Sequence, residues 1–164
     1  MRLYRICPER FLEDYSGLGA SFQDGARWNT AGHPVLYFAC SPATALLELA
    51  NYLPSPRLIP SDYRLGMYAL PDDARLERLP RDTLPKHWAA YPYPASTQRL
   101  GDAWLEDAGS LALLVPSAAV SGGLENIAVI NPKHSQVAKL RLLKTYCDLF
   151  NERTFGGIQD RRQR

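Results

Sequence analysis

The stretch Val35–Leu53 reads VLYFACSPATALLELANYL, and its hydrophobic pattern changes character at Ser41-Pro42. Ahead of that dipeptide, Val35-Leu36-Tyr37-Phe38-Ala39 is apolar, rich in aromatic residues and too short for a helix, which marks a buried strand. Alternation along a strand puts Tyr37 on one face with Val35 and Ala39. At the break, a serine side chain can cap free N–H groups and proline's fixed φ suits a first helical turn, so a helix is expected to begin there. Ala45, Leu46, Leu49 and Leu53 form its apolar stripe, and Pro54 and Pro56 are expected to stop it. Glu48 falls at the edge of that stripe, which at about 100° per residue is neither central in the core nor opposite to it. A carboxylate there can overlook a cleft or simply meet solvent.

The mixture of strands and helices continues on both sides. Leu3 to Cys7 reads as an opening strand, after which Gly17, Gly19 and Gly25 make Ser16 to Gly32 a mobile, polar loop carrying Arg27 and Trp28. Downstream, Leu65 to Leu70 is an expected strand, followed by loops punctuated by Pro80, Pro85, Pro92 and Pro94. From Ser96 the pattern Leu100, Trp104 and Leu105 suits an amphipathic helix ending near Gly109, with Gly101 an unfavourable residue inside it. Leu111 to Val115 and Asn126 to Ile130 read as strands separated by a loop containing Ser121-Gly122-Gly123, and Ala138 to Thr145 as a last strand completing a mixed sheet. The tail 151–164 is polar, without an apolar period, and is expected to be flexible. Its arginines could touch an acidic partner or RNA, although terminal charge runs are usually just solvated. The fold class is thus α/β (α+β), one compact domain over 1–150 with a polar tail.

Composition narrows the function. The chain has 164 residues, 46% hydrophobic and 22% charged, which fits one globular domain with room for one modest cleft. A net charge of +2 is too small for a dedicated nucleic-acid binder, although a small anionic ligand fits. Cys7, Cys40 and Cys147 are odd in number and scattered, so neither a disulfide framework nor a zinc ligand set is visible, and no metal is expected. The amino terminus lacks a signal-peptide pattern and no run of about 18 apolar residues occurs, which leads to the expectation of a cytoplasmic protein without membrane contact.

Individual residues each have an ordinary reading and a functional one. An arginine in a glycine-containing loop usually points into water, but Arg27 could present its planar donor fork to phosphate or ribose oxygens. Trp28 is either a pocket wall or an aromatic anchor holding its loop on the core. Tyr37 by default fills the core while its hydroxyl finds a partner, yet the small neighbours Val35 and Ala39 leave space for a flat heterocycle beside the ring. Ser117 reads as a turn residue after Pro116. His134 has no adjacent nucleophile to complete a triad, and we assign it no catalytic part.

Taken jointly, Arg27-Trp28, Tyr37 in a short apolar strand, Ser-Pro opening a helix with Glu48, Val115-Pro116-Ser117, and Asn126 to His134 with Asn131-Pro132-Lys133-His134 resemble the RES family. That family is named for an arginine, a glutamate and a serine, matched here by Arg27, Glu48 and Ser117, and the resemblance runs from about Leu3 to Phe150. It implies a split, mixed sheet similar to that of ADP-ribosyltransferases, with NAD+ as substrate and no separate cofactor. It also implies a toxin whose cleft is blocked by an Xre-like antitoxin, DNA contact then belonging to the partner. Self-association is compatible with it.

The implied chemistry is loss of nicotinamide from NAD+. The leaving group departs neutral, so no strong general acid is required, and the difficulty is positive charge on the ribose, which a fixed carboxylate stabilises. Glu48 is the expected carboxylate, Arg27 the anchor for diphosphate or ribose oxygens, and Tyr37 the residue that stacks on nicotinamide or the adjoining ribose. Trp28, Ser117 and Asn126 complete the expected binding set. Water, phosphate or a protein side chain could accept the ADP-ribosyl group. Two rivals make other predictions: an RNA-directed toxin would cleave RNA without NAD+ loss, and an inactive module would only assemble with its partner.

Overall fold

A computed structural model describes residues 1–53, 58–151 and 154. Its core is a mixed sheet in the order β4-β5-β6-β2-β1-β3-β7, with β1 Arg2–Pro8, β2 Leu36–Ala39, β3 Tyr63–Ala69, β4 Leu76–Arg78, β5 Ala112–Pro116, β6 Asn126–Ile130 and β7 Arg141–Tyr146. All neighbours run antiparallel except β4 and β5. The halves β4-β5-β6-β2 and β1-β3-β7 join where Tyr4 stands opposite Ala39, whereas β1 and β3 stay in register from Arg2 with Ala69 to Pro8 with Tyr63. This narrow join is the split expected of the sheet.

Among the described residues three α-helices accompany the strands: α1 Ala20–Asp24, α2 Pro42–Ala50 and α3 Ala95–Asp107. α2 starts as the sequence indicates, with the Ser41 side chain accepting from the Thr44 N–H at 3.1 Å and proline in the first turn. It ends at Ala50; Pro54 and Pro56 lie outside the described residues, as does most of the tail after Phe150. β5 is buried along its whole length, so its continuous apolar run covers both faces of the sheet. Leu36, Phe38, Leu114, Ala128 and Ile130 pack on one face, and Val35, Ala39, Val115, Val129 and the helical residues Ala45 and Trp104 on the other. Burying a Leu or Val side chain stabilises by roughly 1.5–3 kcal/mol, which makes these two layers the main source of stability.

Several expectations change. Ser16 to Gly32 contains α1 and a hydrogen-bonded turn instead of an open loop. β4 lies in a region read as loop, because all of its residues are exposed and only its parallel pairing to β5 defines it. The last strand starts later than Ala138, since Ser135–Lys139 forms a 3-10 turn. All three cysteines are free.

Candidate active site

The helix face that the sequence leaves unremarked positions Arg27. α1 closes at Gly25, whose φ of 77° suits glycine, and Ala26 pairs with Asn29 across a turn, the Ala26 N–H donating to the Asn29 carbonyl at 2.9 Å. Arg27 and Trp28 occupy the tip. α3 holds this turn through one face, since positions 98, 101 and 102 follow the i, i+3, i+4 spacing. Gln98 Nε2 donates to the carbonyls of Ala26 and Asn29 at 3.1 and 3.3 Å. The Asp102 carboxylate accepts from the Thr30 N–H at 2.9 Å and the Thr30 hydroxyl at 2.8 Å. Between them Gly101 admits the Trp28 backbone; an added Cβ would fall 2.6 Å from the Trp28 carbonyl carbon and closer still to its oxygen.

Tyr37 completes the turn from the sheet side. Its hydroxyl donates to Asn29 Oδ1 at 2.7 Å and accepts from the Trp28 N–H at 3.2 Å. Burial pushes this phenol far above its ordinary range, so it remains a neutral donor and is no proton acceptor near neutral pH. Asn29, fully buried, uses its amide nitrogen on the carbonyls of Ser21 and Thr30 at 2.6 and 3.0 Å.

From the tip, Arg27 Nη1 reaches the main-chain carbonyls of Trp88 and Ala90 at 2.6 and 2.8 Å. Its guanidinium lies over the Tyr93 ring, 5.1 Å from the centroid. Burial lowers the Arg27 pKa, opposed by the Tyr93 phenol and the Glu48 carboxylate; the group keeps its charge. Nη1 thereby uses both of its hydrogens, and the bidentate edge of Nη2 and Nε is the part of the fork these two bonds leave unused. Tyr93 is joined to Tyr52 through their hydroxyls at 3.2 Å. On the far flank, Trp88, Ala118, Val120 and Gly122 line a depression of about 240 Å³.

Glu48 comes from α2, half-buried, and its Oε1 accepts from the Ser117 hydroxyl at 2.6 Å. Ser117 follows β5 and has no solvent exposure. Its N–H donates to the Glu125 carbonyl at 2.9 Å, and its hydroxyl oxygen also accepts from the Ala119 N–H at 3.2 Å. A hydroxyl that accepts from a backbone N–H while donating to a carboxylate is oriented from both ends. Among the described residues no group of three His, Cys, Asp or Glu side chains is placed to hold a metal ion, and no helix is long and apolar enough to cross a membrane.

The chain matches the RES domain over residues 2–148. It belongs to the RES family. A "Toxin Res" from Yersinia enterocolitica is 37% identical over 135 residues, covering 82% of this chain and 86% of that protein. The "Prs ADP-ribosylating toxin" of a Sphingobium strain is 33% identical over 143 residues, covering 86% of each. Among solved structures, the M. tuberculosis MbcT-MbcA toxin-antitoxin complex has a similar chain, with a TM-score of 0.69 at 20% identity over 88% of this chain and 82% of that one. This last likeness is one of RES fold.

Within this RES domain the structure brings Glu48 and Ser117 into contact and makes Glu48, Tyr37 and Tyr93 electrostatic neighbours of Arg27. Two expected binding residues do not open onto the site. Trp28 has no exposed surface and is the anchor of its turn instead of a pocket wall, because Gly101 draws its backbone against α3. Asn126 stands opposite Pro116, in the strand row of Ala128 and Ile130, whereas Tyr37 packs with the other face; alternation directs it away from the site. Ser117 meets the site by way of Glu48, being itself enclosed. Asn131 is a buried corner residue, donating to the Leu105 carbonyl at 2.9 Å, and His134 Nδ1 accepts from the Gln136 N–H at 3.2 Å. Sequence reasoning missed Tyr52 and Tyr93; the spacing of Tyr52 four residues beyond Glu48 was the available signal.

Proposed function

We propose that this RES-family chain is a toxin that cleaves the bond between nicotinamide and ribose in NAD+, and that a cognate Xre-like antitoxin covers the cleft. The observation that carries the reading is the Glu48 carboxylate, fixed by the buried Ser117 hydroxyl at 2.6 Å in a site it shares with the Arg27 guanidinium. The C1′–N bond breaks with its electron pair remaining on the pyridinium nitrogen, so nicotinamide leaves neutral and positive charge develops on the ribose. A carboxylate held through one oxygen retains the other for that cation, and its attraction grows as the bond breaks, which is the differential stabilisation that accelerates a reaction. Water then adds at C1′ and releases a proton to solvent, giving ADP-ribose. Inorganic phosphate adding in the same way would give ADP-ribose 1″-phosphate.

Arg27 offers its Nη2 and Nε edge to phosphate or ribose oxygens, a planar two-pronged contact. Tyr37, whose hydroxyl is already committed to the Arg27 turn, keeps its ring for the nicotinamide or the adjoining ribose under this reading. A second reading, transfer of ADP-ribose to a protein, is favoured by the name of the Sphingobium relative.

Incubating purified, antitoxin-free chain with NAD+, with and without phosphate, and following nicotinamide and ADP-ribose products by chromatography tests the reading. Nicotinamide release that falls at least about a hundred-fold in Glu48→Gln is expected. Near-wild-type release by that variant would overturn the assignment of Glu48, and release only when a protein acceptor is added would favour transfer.

A further inference from the structure

Beyond the last residue of α2, the Asn51 N–H donates to the Glu48 carbonyl at 3.3 Å and the Tyr52 N–H to the Leu49 carbonyl at 3.0 Å. The helical turn therefore continues, and Tyr52 stands one turn beyond Glu48 on the same side. Tyr52 is 69% exposed. Yet it is not loose: its hydroxyl is bonded to that of Tyr93 at 3.2 Å. Tyr93 is fixed in turn by Arg27 over its ring and by Tyr91, edge-on with centroids 5.5 Å apart. The result is a ring tethered at its tip with most of its surface uncovered. Glu48 and Arg27 both act on the Tyr52 phenol, which places the ring within the field of the site.

We infer that Tyr52 is a ligand-binding residue whose ring stacks on the nicotinamide of NAD+, with Tyr93 as the residue that positions it. The inference rests on the NAD+ reading above. Glu48 marks the ribose C1′ under that reading, and the ring one helical turn from it meets the base attached there. Nicotinamide in NAD+ is a cationic pyridinium, and the negative face of a tyrosine ring attracts such a cation. Arg27 occupies the corresponding place on Tyr93, which leaves Tyr52 for the ligand. Once the bond breaks the base is neutral and the attraction weakens, which helps the product leave. The stacked area of the base is nearly the same before and during bond cleavage, so the contact acts mainly as uniform binding, which is read in KM and hardly in kcat.

The test is the NAD+ dependence of nicotinamide release by the wild-type chain, Tyr52→Ala, Tyr52→Phe and Tyr93→Phe, with the inhibition constant of ADP-ribose for each. Tyr52→Ala is expected to raise KM about ten-fold, in line with losing one base–aromatic stack, with kcat within about two-fold and thermal melting unchanged. Tyr52→Phe and Tyr93→Phe each keep the Tyr52 face and each remove the tether between the two hydroxyls, so both are expected to fall between, roughly three-fold up. ADP-ribose, which lacks the base, should inhibit all four equally. An active wild type with unchanged KM in Tyr52→Ala overturns the inference alone, and weakened antitoxin binding in that variant would then assign the ring to the protein partner. Parallel weakening of ADP-ribose would move the ring to the adenine and equally overturn it. A wild type that releases no nicotinamide with or without an added protein acceptor defeats the NAD+ reading itself and this inference with it.

Discussion

Replacing Ser117 by alanine tests the central contact of the site with little else disturbed. The hydroxyl donates to Glu48 Oε1 at 2.6 Å and accepts from the Ala119 N–H at 3.2 Å. A hydrogen bond to a charged group contributes about 1.5–3 kcal/mol, whereas one between neutral partners contributes about 1 kcal/mol. Glu48 is only half-buried, so water recovers part of the first amount in the variant. What it cannot recover is the aim of the carboxylate, because Ser117 itself is fully enclosed. We therefore expect a loss of transition-state stabilisation of about 1.5–2 kcal/mol, or roughly 10- to 30-fold in kcat, with KM for NAD+ changed by less than about three-fold. Global stability should fall by about 1 kcal/mol, a shift of roughly 2–4 °C in Tm for a chain of this size.

The decisive assay is a double-mutant cycle on nicotinamide release. If Ser117 acts through Glu48, removing its hydroxyl from the Glu48→Gln chain should change the residual rate by less than about two-fold, since the charge it aims is already gone. An equal 10- to 30-fold loss in both backgrounds would refute the positioning role and make Ser117 an independent contributor. A wild-type rate in Ser117→Ala alone would refute the reasoning more directly.

Two further substitutions probe the turn that carries the guanidinium. Arg27→Lys should lower NAD+ affinity by about ten-fold in calorimetry, because an ammonium cannot hold the Trp88 and Ala90 carbonyls and also present a planar fork; unchanged affinity would reject the anchor role. Gly101→Ala should destabilise the chain although alanine favours helices by about 1 kcal/mol over glycine, because the new Cβ meets the Trp28 carbonyl. A thermal melt showing equal or higher Tm would contradict that close approach.

What the sequence could disclose was what local geometry encodes. Ser41-Pro42 predicts the cap of α2 because both residues act within one turn, and Glu48 at the edge of the apolar stripe follows from helix periodicity alone. The partner that aims Glu48 is 69 residues away, and no local rule links the two. Gly101 looks like a defect in a helix pattern until the Trp28 backbone is seen against it. Trp28 had two readings in the sequence, and this packing selects the anchor. β4 was invisible because three exposed residues carry no periodicity. Tyr52 and Tyr93 were passed over because a tyrosine at the edge of the apolar stripe reads as ordinary packing and Tyr93 sits among prolines, and no local rule links two hydroxyls 41 residues apart.

The proline-rich segment between β4 and α3 shows why the site depends on such distant contacts. Besides the short 3-10 turn Arg81–Thr83 and single turns at Pro85–Trp88 and His87–Ala90, it is held from outside by guanidinium–carbonyl bonds. At its start Arg81 donates to the carbonyls of Gly122 and Gly123 at 3.2 and 2.5 Å, beyond Ser117. Near its end the carbonyls of Trp88 and Ala90 receive Arg27. Trp88 packs against Gly123 so closely that an added Cβ would lie 2.9 Å from its ring. The segment thus ties the Ser117 side of the site to the Arg27 side, and Arg27 has two duties on two edges of one guanidinium: Nη1 places the segment bearing Tyr93, and Nη2 with Nε remains for the ligand. A lysine loses both duties together. The Tyr93→Phe variant keeps the ring beneath Arg27 and disturbs only the tether to Tyr52, so comparing the two separates organisation of the site from recognition of its ligand.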